Sequence, residues 1–268
     1  MRIEDYPPQE PLSEFARPYV EEVRRLSAGH DGIEVFYGDD PYQGIALHVP
    51  DEPNGTVLAY SHGGGWTSGY REHMNFMAPG FLAAGMIFAS IGYRLAPNHL
   101  FPTGLDDVAG GIAWLRDNIA EHGGDAARIF IGGHSAGGHY AALVAVRDDI
   151  LAPGTVRGCL PISGVYDFLP GNGMSMRPRF LGPEENDRPA SPIEHIGAAP
   201  PPFLLAHGTK DFPHLITQAE RMEAALKERG GDVERIELDG RDHFTASLAG
   251  GEADGPWLGQ ALAWMAAR

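Results

Sequence analysis

Five consecutive residues, Gly133-His134-Ser135-Ala136-Gly137, constrain this chain more than any other stretch. They follow the apolar run 128–132 and precede the helix-forming run 138–146, so a strand, a sharp turn and a helix are written in sequence. That context carries the weight, because a G-x-S-x-G match alone arises by chance in a chain with 36 Gly. In a strand-to-helix elbow, Gly133 and Gly137 remove the side chains that would collide as the turn tightens. Ser135 then projects from the sheet edge as a candidate nucleophile. The N–H of Ala136 sits at the positively polarised helix terminus.

A second motif supports the first. His62-Gly63-Gly64-Gly65-Trp66 follows the apolar run 56–61, which reads as a central strand. Attack on an acyl carbon places negative charge on the former carbonyl oxygen, and preorganised N–H donors must meet it. Losing one such donor costs about 3–4 kcal/mol of barrier. Consecutive glycines let the backbone approach that oxygen, which makes Gly64, Gly65 and Ala136 the candidate donors.

The rest of the chain alternates. Apolar periodicity predicts strands near 33–37, 43–49, 56–61, 86–93, 128–132, 158–163, 203–207 and 233–238. It predicts helices near 12–27, 73–84, 104–121, 136–147, 214–229 and 256–267, the first with an apolar stripe of Phe15, Tyr19, Val23 and Leu26. Such alternation implies a mainly parallel sheet covered on both faces, with the first strands as an antiparallel edge. At 268 residues and 43% hydrophobic content the chain suits one large α/β domain. A net charge of −16 argues against nucleic-acid or anionic-membrane partners. No apolar run approaches the ~18 residues of a membrane span, and the first residues carry no leader-like apolar core. A cytoplasmic protein is the expectation. The single cysteine, Cys159, sits in an apolar strand and cannot form an intrachain disulfide. No internal repeat, phosphate loop or metal-ligand spacing occurs, and His134 and His139 are five apart, a poor spacing for a shared metal. Neither a cofactor nor a metal is expected.

With both motifs in place, the chain resembles the α/β-hydrolase superfamily over residues 35–243, specifically its HGGG/HGGxW branch. That branch holds hormone-sensitive-lipase-like carboxylesterases and kynurenine-formamidase-like enzymes. Further matching residues are Tyr93-Arg94-Leu95-Ala96-Pro97, Phe101-Pro102, Asp106-Asp107-Val108 and Gly164-Val165-Tyr166-Asp167. The resemblance implies an α/β-hydrolase fold with an eight-stranded, mainly parallel sheet and a small cap. It also implies the order Ser, Asp or Glu, His along the chain. Asp211 is the candidate acid, just past the strand 202–208, where α/β sheets place their sites. Asp239 and Asp242 are rivals too close to the candidate histidine to come from a separate loop. Asp167, after the preceding strand, stays in reserve. Of 12 histidines, only His243 follows the last strand, in the loop 239–244, and it is the candidate base.

Two stretches break the alternation, residues 1–30 and 167–200, and both are candidate cap or lid segments. Met174, Met176 and Phe180 in the second stretch line an acyl pocket or simply pack against the body. Trp66, Tyr166 and Phe244 carry the same ambiguity between core and pocket wall. Arg94 and Asp107 read as an ion pair stitching a loop to the next helix. The expected activity is hydrolysis of a small carboxylic ester, with a small-molecule ester or amide as the partner; a homo-oligomer remains open. Aryl-formamide hydrolysis, of the N-formylkynurenine kind, needs the same groups. A non-catalytic ligand-binding member of the fold is a third reading, disfavoured because Ser135, Asp211 and His243 are all present.

Overall fold

A computed structural model describes residues 2–172 and 178–268. The candidate pocket residues Met174 and Met176 fall outside the described residues. Eight strands form one sheet: β1 (Ile33–Phe36), β2 (Gly44–His48), β3 (Val57–Ser61), β4 (Ile87–Ile91), β5 (Ile129–His134), β6 (Gly158–Ile162), β7 (Phe203–Gly208) and β8 (Val233–Leu238). Their order across the sheet is β1-β2-β4-β3-β5-β6-β7-β8. β2 runs antiparallel to both β1 and β4, and the remaining pairs are parallel. Every expected strand is present within two residues of its predicted ends, with the antiparallel edge at β1 and β2.

Among the described residues, seven α-helices flank the sheet: α1 (Arg17–Ser27), α2 (Ala78–Ala83), α3 (Thr103–Asn118), α4 (Ala136–Val146), α5 (Pro213–Glu228), α6 (His243–Leu248) and α7 (Leu258–Ala266). Successive strand residues point to opposite faces, and two cores result. Val57, Ala59, Ile129, Ile131, Phe203 and Leu205 join α3, α4 and α5 on one side. Leu58, Tyr60, Phe130, Leu204 and Ala206 join α1, α2 and α7 on the other. All of α4 is buried, as its largely apolar sequence demands, with His139 the polar exception. The outer strands β1 and β8 stay partly exposed and carry Glu34, Glu234 and Glu237, charges that discourage edge-to-edge pairing. Cys159 is a free, buried thiol.

Local chemistry explains the departures from expectation. The first helix begins at Arg17, not at residue 12. Pro18 then lies in the first turn, where its missing N–H is not needed. A start at 12 would bury it mid-helix against the carbonyl of residue 14. Phe15 therefore lies ahead of α1 and is 84% exposed, while Tyr19, Val23 and Leu26 do face the core. Pro79 acts likewise: the helix expected over 73–84 is a 3-10 stretch, Arg71–Met77, followed by the short α2. The stretch 167–200 is not structureless, since it includes the 3-10 turns Glu184–Asn186 and Pro192–His195. Among the described residues, no helix is long and apolar enough to cross a membrane.

Candidate active site

The parallel strands all deliver their carboxyl ends to one edge of the sheet, and the candidate residues gather there. Ser135 occupies the tight turn between β5 and α4 with φ 54° and ψ −114°, a left-handed conformation costly for a residue with a side chain. Its neighbours must be glycine. A methyl group on Gly137 would sit 2.1 Å from the Ser61 carbonyl oxygen, and one on Gly133 2.3 Å from the Gly137 carbonyl carbon. Hydrogen bonds from Ser135 N to Ile162 O and from His139 N to Ser135 O, 3.0 and 2.9 Å, hold the elbow.

Asp211 follows β7, and His243 opens α6 after β8. The loop expected over 239–244 is thus partly helical. Asp242 caps α6 by accepting hydrogen bonds from Phe244 N and Thr245 N, while its own N–H donates to Thr245 Oγ1. This role removes Asp242 from the rivals for the acid. Asp167 is engaged by Arg221 at 2.9 Å instead. His243 Nδ1–H donates to Asp211 Oδ1 at 2.9 Å. Because a carboxylate only accepts, the proton belongs on Nδ1, leaving Nε2 to accept from the Ser135 hydroxyl, also at 2.9 Å. Burial pushes the Asp211 carboxyl up, but hydrogen bonds from His243, Ser163 and Phe212 N outweigh it and hold the group below the usual range.

Other groups steady this relay. The Ser163 hydroxyl makes a short hydrogen bond to the second oxygen of Asp211. His134 donates from Nε2 to the His243 carbonyl at 2.9 Å. Burial lowers the His134 pKa to about 3, so it stays neutral beside His243. The rings of Phe212 and Phe244 flank the imidazole, with centroids 4.9 and 5.4 Å away.

The glycine turn after β3 faces the same space. Gly64 (φ 124°) and Gly65 (φ 60°) are left-handed, and a methyl group on Gly64 would meet Ser68 O at 1.9 Å. Gly65 has open space around that position. His62 donates from Nδ1 to Gly63 O at 2.7 Å, and Tyr93 donates to His62 O at 2.8 Å. Trp66 is buried and lines the cavity as well: its ring stacks on Phe180 at 4.3 Å, and its Nε1–H donates to His139 Nδ1 at 3.1 Å. His139 in turn donates from Nε2 to Ala190 O at 2.7 Å. Burial lowers its pKa to about 3 and keeps it neutral. Phe180 and Tyr166, fully buried, are core and not pocket wall. Phe244 does line the pocket. Arg94 pairs with Asp107 at 2.7 Å, as the family resemblance implied.

A cavity of about 470 Å3 opens over Ser135 and His243. Leu12, Val20, Met74, Val165, Leu215 and Phe244 give it apolar walls, so the residues before α1 supply one side. Residues 1–30 were expected as a cap or lid segment, but the roles of Ser163 and His139 were missed in the sequence. Only Ser163 left a signal there, as a polar residue at a strand's carboxyl end. Among the described residues, no cluster of His, Cys, Asp or Glu could hold a metal ion.

A family model for the alpha/beta hydrolase fold matches residues 58–247, which include both glycine motifs, Ser135, Asp211 and His243. The chain belongs to the α/β-hydrolase family. It is 35% identical over 208 residues to Esterase LipQ of Mycobacterium tuberculosis, covering 70% of this chain and 49% of the relative. It is 33% identical to Esterase LipC of the same organism over 239 residues, 78% of this chain and 58% of the relative. The chain therefore spans about half the length of these curated relatives. An esterase structure from Pyrobaculum calidifontis superposes with a TM-score of 0.80 over 99% of this chain and 96% of its own, at 20% identity.

Proposed function

We propose that this hydrolase-fold protein is a serine hydrolase of small carboxylic esters, working through Ser135, His243 and Asp211. The unbroken relay from Ser135 Oγ through the His243 ring to Asp211, opening onto the cavity, carries the reading. His243 accepts the Ser135 proton as the oxygen attacks the substrate carbonyl. Asp211 orients the imidazole and stabilises the imidazolium without taking its proton. The N–H groups of Gly64, Gly65 and Ala136 meet the oxyanion. His243 then protonates the leaving group, and water releases the acyl group by the reverse sequence. The described parts of the segments 1–30 and 167–200 act as a cap, with Leu12 and Val20 from the first and Arg179 from the second over the serine.

The esterase names of LipQ and LipC favour an ester substrate, and a cavity of about 470 Å3 suits a small one. Tyr19, Phe212 and Phe244 at the cavity wall favour a second reading, an aryl formamide. Side-by-side kcat/KM values on p-nitrophenyl acetate and N-formylkynurenine separate the two. A formamide preference of about tenfold, ~1.4 kcal/mol of barrier, selects the second. Ser135→Ala and His243→Ala each lower kcat by several orders of magnitude with the fold intact. A fluorophosphonate labels the wild type and not Ser135→Ala. Near-wild-type turnover in either variant overturns the catalytic assignment, and unlabelled, inactive wild type points to a non-catalytic binder.

A further inference from the structure

We infer that Gln9 is a positioning residue for the oxyanion turn, an inference that rests on the serine-hydrolase reading. Gln9 lies in the segment ahead of α1, 60 residues from the backbone it holds. Its Oε1 accepts from Gly69 N at 2.8 Å, and its Nε2 donates to Gly69 O, also at 2.8 Å. The second Nε2 hydrogen goes to Tyr42 Oη at 3.0 Å, and that hydroxyl donates to Pro7 O at 3.0 Å. The amide therefore uses both hydrogens and its oxygen, in an orientation that a flip would break.

Gly69 closes the turn that Gly63 opens. It is buried, with φ 112°. A methyl group on it would lie 2.4 Å from His62 Nδ1 and 2.5 Å from Gly63 O. Gly63 O belongs to the same peptide plane as the Gly64 N–H, the candidate oxyanion donor, and it is the acceptor for His62 Nδ1. Gly69 thus backs the one plane whose tilt aims that donor. The other ties on the turn act elsewhere: Thr67 N, Ser68 N and Ser68 Oγ donate to Gly64 O, and Ala96 N donates to Trp66 O. Both buried backbone groups of Gly69 have the Gln9 amide as partner, so without it Gly69 shifts toward water or toward new partners. The Gly63–Gly64 plane tilts with it. The strap carrying Gln9 is tied further by Glu10, which pairs with Arg179 from the second cap segment. Cap and oxyanion turn are thereby coupled through the neighbouring side chains of Gln9 and Glu10.

A donor that is misaimed, not deleted, loses transition-state stabilisation while the acyl pocket keeps its walls. Gln9→Met, which keeps the volume and removes the polar contacts, and Gln9→Ala test this with p-nitrophenyl butyrate. Both lower kcat by about 10–100-fold, short of the 10²–10³ typical of deleting a donor, with KM changed by less than about threefold. Affinity for a trifluoromethyl ketone, whose adduct puts an oxyanion in the turn, falls by the same factor as kcat. A purely structural role for Gln9 would lower the melting temperature and the active fraction, leaving kcat per fluorophosphonate-titrated site unchanged. That result overturns the inference, as does a loss carried by KM. Wild type that neither turns over nor labels at Ser135 overturns the hydrolase reading and this inference with it. Labelled, active wild type with Gln9→Met kcat unchanged overturns this inference alone.

Discussion

At the scale of single residues, the site is governed by who supplies the last hydrogen bond. Ser163 shows this. Its hydroxyl bonds the Asp211 oxygen that His243 leaves free, and its own φ of 52° places it in the left-handed region. A hydrogen bond to a charged acceptor is worth about 1.5–3 kcal/mol. Ser163→Gly removes the whole side chain and relieves the backbone, whereas Ser163→Ala removes only the hydroxyl, so the pair separates the two effects. The kcat of Ser163→Gly falls about tenfold, equivalent to ~1.4 kcal/mol, and that of Ser163→Ala falls at least as far. Unchanged kcat in Ser163→Gly would leave the hydroxyl with no part in orienting Asp211. Trp66 makes the complementary point: its indole is committed to His139 and Phe180, so the residue braces the turn while also forming part of the cavity wall.

At the scale of elements, short helices and their caps place the reacting groups. α6 is only six residues long and His243 is its first, so the cap at Asp242 sets where the imidazole stands. Replacing such a cap by alanine typically costs about 1 kcal/mol. Asp242→Ala should lose that much in urea unfolding and also lose kcat, with KM little changed, whereas Asp242→Asn keeps the cap and most of both. Equal turnover in Asp242→Ala and the wild type would show that β8 and the His134 contact suffice to position His243. The start of α1 belongs to this scale too. Pro18 ends the helix early on its N-terminal side, and of the freed residues Pro11, Leu12, Ser13 and Ala16 line the cavity.

At the scale of the whole molecule, burial decides charge. His62, His73, His134 and His139 are all buried, and desolvation lowers their pKa values, to about 4 for the first and about 3 for the others. In the unfolded chain an imidazole titrates near ~6.5. Between those values the unfolded state binds more protons, so stability is fully present above about pH 6.5 and is lost as pH falls. At pH 5 each histidine accounts for about 2 kcal/mol, together comparable with a typical folding free energy of ~5–15 kcal/mol. Asp211, held low in the fold, adds a loss of the same sign at lower pH. Cooperative loss of far-UV circular dichroism is expected between about pH 4 and 5.5. A His139→Gln variant should show a shallower dependence of stability on pH. A native spectrum persisting at pH 3.5 would mean that these rings are protonated in the fold at little cost.

The alternation of strand and helix was legible in the sequence because it is local: period-two and helical apolar patterns, punctuated by glycine and proline, need no knowledge of the partner element. The elbow at Ser135 and the glycine turn at 62–66 were legible for the same reason, since steric demands act within a few residues. Position after β7 and β8 singled out Asp211 and His243, the two residues that hydrogen bonds join to Ser135 in the fold. Phe180 was ambiguous because an apolar side chain reads alike whether it faces a core or a cavity, and only packing against Trp66, Phe101 and His139 settles it. Gln9 and the neutral histidines belong wholly to the tertiary structure, as does the partner that Ser163 finds. A hydrogen bond across 48 or 60 residues, and the desolvation that fixes a proton, exist only once distant segments meet.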